Sequence, residues 1–76
     1  MNKNTIDIAY EVGTIKCFFA LKGFGFITRS KGKDLFFFYK DVVAEEHILE
    51  GVTVRFQVEM NDRGRGPRAL NVERIG

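Results

Sequence analysis

The sequence predicts a small all-β domain, either a barrel or a sandwich. Two observations lead to this prediction. The chain has 76 residues, which is enough for one domain with one hydrophobic core. From residue 12 onward, glycines separate short segments that are rich in β-branched and aromatic residues, a pattern typical of all-β folds.

Five strands are predicted in this part of the chain, over residues 12–20, 24–29, 34–39, 52–60 and 67–75. Leu21-Lys22-Gly23 joins the first two strands, and the polar turn at 30–33 makes a hairpin of the second and third. Residues 40–50 are predicted to form a long loop with one short helix, and its candidate buried anchors are Val42, Val43, Ile48 and Leu49. Pro67 opens the last strand at an edge, where its missing N–H does least harm.

The first eleven residues form a separate segment in this prediction. Apolar residues occupy every second position there, and this period of two predicts extended structure: Ile6, Ile8, Tyr10 and Val12. The segment either lengthens the first strand or lies along a sheet edge, or it pairs with a second copy of the chain to make a homodimer. We therefore divide the chain into an N-terminal extension, 1–11, and a domain, 12–76.

The composition excludes several classes of function. One cysteine, Cys17, and one histidine, His47, cannot supply an internal disulfide or the common four-ligand zinc site, so we expect no metal or cofactor and a reducing, cytoplasmic setting. No apolar run approaches the roughly 20 residues that span a bilayer, so we expect no membrane partner. No recognisable catalytic set is present, which argues against an enzyme.

The eight phenylalanines are the unusual feature of the composition, since a domain of this size cannot easily bury them all. Alternation along the second and third strands places Phe24, Phe26, Phe36 and Phe38 on one face. If these strands pair antiparallel, the four rings form a patch on which nucleobases stack, at about 1–3 kcal/mol per base. The alternative, that the patch is the core, is less favoured because other apolar residues supply an interior: Ile15, Phe18, Ile27, Leu35, Phe37, Val54, Phe56, Val58 and Val72.

Basic residues surround this aromatic patch in the sequence. Lys16 lies on the first strand, Lys22 precedes Gly23, Lys40 follows Tyr39, and several arginines occupy the segment 61–68. Rings that stack on bases, combined with cations that contact phosphates, are the two components of non-sequence-specific single-strand binders.

Several motifs in this chain resemble, in order and spacing, the bacterial cold-shock proteins. The resemblance covers residue 12 to the end, and its motifs are Gly13-Thr14-Ile15-Lys16 followed by Phe18, Lys22-Gly23-Phe24-Gly25-Phe26-Ile27, Asp34-Leu35-Phe36-Phe37-Phe38-Tyr39, Glu50-Gly51, Arg65-Gly66-Pro67-Arg68-Ala69 and Asn71-Val72. It implies a five-stranded antiparallel barrel of the OB type, a cold-shock domain that binds single-stranded RNA and DNA and melts RNA structure as a chaperone. An RNA-recognition motif would need two amphipathic helices, which this sequence does not offer.

The chain departs from the family pattern at three positions. Cys17 stands where the family usually has a surface tryptophan, Phe19 where it has asparagine, and Phe38 where it has histidine. The first change removes a stacking ring, whereas the others add apolar surface, although Phe19 could also pack against the N-terminal segment. Plain alternation turns Tyr39 inward, whereas the resemblance places it at the binding surface.

These observations predict a module that binds single-stranded RNA or DNA. The alternative is a protein-interaction or dimerising module that uses the same barrel without a nucleic-acid function. The predicted nucleic-acid-binding residues combine the rings with the cations: Lys16, Phe18, Lys22, Phe24, Phe26, Phe36, Phe38, Tyr39, Arg65 and Arg68.

Overall fold

A computed structural model describes the backbone of residues 4–6, 9–61 and 66–76 and the side chains of residues 9–60 and 66–76. Its six strands are β1 (Asn4–Ile6), β2 (Glu11–Phe19), β3 (Phe24–Arg29), β4 (Leu35–Phe38), β5 (Thr53–Asn61) and β6 (Arg68–Arg74). Two 3₁₀ helices, Tyr39–Asp41 and Glu45–His47, lie between β4 and β5. In these ranges no helix has the length and apolar character needed to cross a membrane.

Strands β2 to β6 close into a five-stranded barrel. β2 pairs antiparallel with β3 and β5, β3 with β4, and β5 with β6. A short parallel pairing, in which Phe36 lies opposite Arg68, joins β4 to β6 and completes the ring. The all-β class and the five-stranded barrel are therefore confirmed.

The N-terminal strand β1 prolongs the line of β2 along β5. Ile6 lies opposite Glu59, and farther along the same strand Glu11 lies opposite Phe56. Glu59 also pairs with Arg68 of β6, so β1 must occupy the other edge of β5, the edge that β2 also uses. This is the arrangement in which the N-terminal segment lengthens the first strand along a sheet edge.

The barrel interior is filled by side chains that alternate inward along each strand. Of the predicted interior residues only Phe18 is not fully buried, and the core also takes in Ile48 and Ala69. Ile48, 2% exposed, anchors the segment 40–50 to the barrel. Val43 and Leu49 were also candidates for this role, and that prediction was wrong, because they are 46% and 57% exposed.

Candidate nucleic-acid interface

Strands β3 and β4 present their phenylalanines together on the outer face of the barrel. Phe24 lies opposite Phe38 and Phe26 opposite Phe36 in the antiparallel register. The alternate residues Ile27, Leu35 and Phe37 point inward and are completely buried. The structure thus places the four predicted rings in one patch, and it separates them from the core.

Phe36 is the centre of this patch. Its ring centroid lies 4.7 Å from that of Phe38 and 5.7 Å from those of both Phe24 and Phe26. Phe19 extends the patch, since its ring lies 5.4 Å from Phe24. We call these five residues the aromatic platform.

Phe19 joins the platform because β2 contains a bulge. Ile15 lies opposite Ile27, but Cys17 lies opposite Phe26, so Lys16 is the extra residue between two register segments. Beyond the bulge the alternation is reversed, and Phe19 comes to lie opposite Phe24 on the outer face. Phe19 is 46% exposed.

The same bulge keeps Phe18 away from the platform. Phe18 lies opposite Gly25, and its ring packs 5.6 Å from that of the buried Phe37. It also lines a separate cavity of about 520 Å³ with residues of the segment 40–50. Although Phe18 is one of the predicted binding residues, the structure uses it as a partly buried side chain packed against the core.

Tyr39 lies at the edge of the platform, as the family resemblance implies. The strand ends at Phe38, so alternation no longer governs Tyr39, whose side chain is 48% exposed. Its ring packs against Gly23, where an added Cβ would lie 2.8 Å from the ring and where φ is +81°. Glycine suits this turn, where its N–H donates a hydrogen bond to the Phe19 carbonyl at the end of β2 and its carbonyl accepts one from the Tyr39 N–H.

Two lysines, Lys22 and Lys40, flank this end of the platform and form no salt bridge with the described residues, although the charge of Lys40 acts on Asp41. Lys22 and Lys40 line a cavity of about 440 Å³ together with Gly23, Phe38, Tyr39 and Arg68. The Lys22 ammonium also lies 6.0 Å from the centroid of the Phe19 ring. The cavity therefore combines aromatic walls with three basic residues.

Lys16 is less available for a phosphate contact than the sequence suggests, because it forms a salt bridge. Its Nζ donates a hydrogen bond of 2.7 Å to Oδ2 of Asp34, the residue that precedes β4. That hydrogen bond, together with the charge of the carboxylate, raises the pKa of Lys16. A phosphate at this position must compete with Asp34.

Arg68 lies between two carboxylates. Its Nε donates to Oε1 of Glu59 at 2.7 Å, and its Nη1 lies 3.4 Å from Oδ2 of Asp41. Burial raises the pKa of Asp41, and the nearby Arg68 opposes that rise. The guanidinium carbon stands 5.6 Å from the centroid of the Phe38 ring, so Arg68 borders the platform.

The sequence analysis did not identify Glu59 or Asp41 as part of the site. Glu59 lies directly opposite Arg68 across β5 and β6, and a carboxylate facing an arginine across two strands was the available signal. No sequence signal pointed to Asp41, because it lies near Arg68 only as a result of the 3₁₀ helix Tyr39–Asp41 that follows β4. The predicted residue Arg65 lies outside the described residues.

Comparison with known proteins agrees with the barrel. The profile of the "Cold-shock" DNA-binding domain family matches residues 11–75. The chain belongs to this family. Cold shock protein CspC of Bacillus subtilis is 41% identical over 66 residues, which cover 84% of this chain and 97% of that protein.

Two further cold-shock relatives show similar coverage. The major cold shock protein of Streptococcus pyogenes is 38% identical over 65 residues, 83% of this chain and 94% of its own. The Retron Se72 cold shock-like protein of Salmonella heidelberg is 40% identical over 57 residues, 71% of this chain and 85% of its own. Membership of the cold-shock family supports nucleic-acid binding in general for this chain.

Proposed function

We propose that the chain binds single-stranded RNA or DNA by stacking bases on the aromatic platform. The observation that carries the proposal is the packing of five rings on the outer face of β2, β3 and β4, while a complete apolar core exists without them. Exposed apolar surface of this kind marks a contact site, and nucleobases offer flat faces that match it.

The cations set where the phosphate backbone runs. Lys22 and Lys40 lie at the Tyr39 end of the platform, and Lys16 lies on β2 with its ammonium paired to Asp34. A single nucleic-acid strand whose bases stack on the rings would bring its phosphates past Lys22 and Lys40, which form no salt bridge among the described residues. Such binding needs no particular sequence, because stacking accepts every base.

A role as an RNA chaperone follows from this mode of binding, and we infer a cytoplasmic location from the single cysteine, which fits a reducing setting. A protein that holds unpaired bases on its surface stabilises the open form of an RNA hairpin relative to the paired form. No chemical step is required for this activity. The predicted single-strand preference can be measured by comparing an unpaired oligonucleotide with the same strand annealed to its complement.

The test is a titration of a fluorophore-labelled pyrimidine-rich oligonucleotide, since the chain has no tryptophan of its own to report binding. We expect saturable binding that weakens as salt rises, because salt competes with phosphate contacts. Annealing to the complement should abolish most of the binding. Absence of measurable binding to both RNA and DNA at low salt would refute the proposal.

A second candidate is self-association through β1. β1 pairs with β5 on one side, and its other edge has no strand partner among the described residues. An unpaired edge is a template for strand addition by a second copy. Sedimentation over a range of protein concentrations measures this, and a dimer that ignores oligonucleotides would favour an interaction module over the binding function.

A further inference from the structure

Arg68 is held in a setting that does not suit a phosphate contact, the role that sequence alone assigns to it. One guanidinium faces two carboxylates, Glu59 at 2.7 Å and Asp41 at 3.4 Å, so the formal charge of the cluster is −1. Both carboxylates are largely covered, with side chains 10% and 17% exposed. A phosphate approaching Arg68 would gain no net attraction from this cluster.

Glu59 instead fixes one edge of the guanidinium through its hydrogen bond with Nε. Nη1 lies 3.4 Å from Oδ2 of Asp41, which has no hydrogen-bond partner. Within the described ranges neither Nη1 nor Nη2 donates a hydrogen bond, so both remain available as parallel donors. The side chain is 36% exposed and lines the cavity of about 440 Å³ beside Phe38 and Tyr39. Rigid, planar N–H donors at the wall of an aromatic cavity are suited to reading the edge of a base that is stacked there.

We propose that Arg68 is a specificity-determining residue that favours guanine in this cavity, an inference that rests on the proposed single-strand binding. Guanine presents two adjacent acceptors, O6 and N7, which match two parallel donors of an arginine. Uracil and thymine separate their two carbonyl acceptors by an N–H group, and adenine places its amino donor beside N7. Cytosine has adjacent acceptors but a smaller ring to stack, so it ranks second.

The two carboxylates have distinct consequences in this arrangement. Glu59 cancels the charge of Arg68 and orients its Nε, so Glu59→Gln removes the negative charge but keeps an acceptor oxygen. The formal charge of the cluster then rises from −1 to 0, so the cluster no longer repels a phosphate through an excess of carboxylates and Arg68 becomes more available to it. The structure therefore assigns to Glu59 a positioning role, through which a general phosphate contact is converted into a base-reading contact.

The test uses a labelled oligouridine and a series in which one uridine at a time is replaced by guanosine. With the natural protein, guanosine at one position should improve affinity about tenfold, the discrimination typical of a bidentate arginine–guanine contact. Arg68→Gln should remove that gain and still bind oligouridine, which also shows that the variant is folded. Glu59→Gln should reduce the gain and make the salt dependence steeper by about 0.7 in the log–log slope.

Lys40→Gln is the matched control, because Lys40 lines the same cavity and forms no salt bridge in the described part of the chain. It should weaken all members of the series equally and lower the salt slope by about 0.7. If Arg68→Gln behaves like Lys40→Gln, Arg68 is a phosphate contact and the inference is wrong. Binding of the series with no gain at any position also overturns it, whereas absence of binding by every member refutes the proposed function itself.

Discussion

Phe36→Ala removes the central ring of the platform. Phe36 touches the rings of Phe24, Phe26 and Phe38 at centroid distances of 4.7 to 5.7 Å, so its loss both deletes one stacking surface and loosens its neighbours. A stacked base contributes about 1–3 kcal/mol, which corresponds to a loss of affinity of about 5- to 150-fold. We expect a value in the upper half of this range, because three adjacent rings lose a contact.

The same substitution should leave the fold intact. Phe36 is only partly buried, and the core contains none of its platform neighbours. Loss of its ring contacts should lower the free energy of unfolding by about 1–2 kcal/mol. Urea unfolding measures this loss, and fluorescence anisotropy with a labelled oligonucleotide measures the affinity of the folded protein.

Phe37→Leu is the matched control on the same strand. Phe37 is the next residue, points to the opposite face and is completely buried. It should lose about 1 kcal/mol of stability through imperfect packing and bind the oligonucleotide normally. The reasoning fails if folded Phe36→Ala binds as tightly as the natural protein, or if Phe37→Leu impairs binding to the same extent.

Three further predictions concern packing, pH and charge. Gly25→Ala should cost about 1–3 kcal/mol in urea unfolding, because its methyl group would lie 2.6 Å from the Phe37 ring; a negligible loss would contradict this. Burial raises the pKa of Asp41, so the stability of the natural protein relative to Asp41→Asn should be greatest below the unfolded pKa of about 3.9 and fall as pH rises through the folded value. Urea titrations from acid to neutral pH test this, and the opposite trend would show that the ion pair outweighs burial. Asp34→Asn should free Lys16 and steepen the salt dependence of oligonucleotide binding by about 0.7, whereas an unchanged slope would place Lys16 away from the phosphates.

Alternation was sufficient to predict the inner and outer faces of β3 and β4. Both strands are regular, so Phe24 and Phe26 face one way and Leu35 and Phe37 the other, as a period of two requires. It was insufficient for β2, where one extra residue at Lys16 reverses the pattern. A bulge depends on how two strands pair, and no residue type in β2 predicts its position.

Two of the salt bridges, Lys16–Asp34 and Arg68–Asp41, could not be predicted from the sequence for a similar reason. Lys16 and Asp34 are 18 residues apart, and Arg68 meets Asp41 only because a 3₁₀ helix follows β4. Sequence shows how many cations lie near a surface, but which of them are neutralised is decided by tertiary contacts. The sequence analysis treated Lys16 and Arg68 in the same way as Lys22 and Lys40, whereas the structure pairs the first two with carboxylates.

This neutralisation changes the expected balance of the binding energy. Lys16 and Arg68 form salt bridges with carboxylates, whereas Lys22 and Lys40, beside the platform, form none in the described part of the chain. Each phosphate contact on a single strand contributes about 0.7 to the log–log salt slope, so two contacts give about 1.4. Five clustered rings can supply several kcal/mol by stacking, at about 1–3 kcal/mol per base, and this contribution is largely independent of salt. Binding should therefore persist at salt concentrations that release proteins held mainly by charge, because the rings that the composition made conspicuous carry most of the affinity.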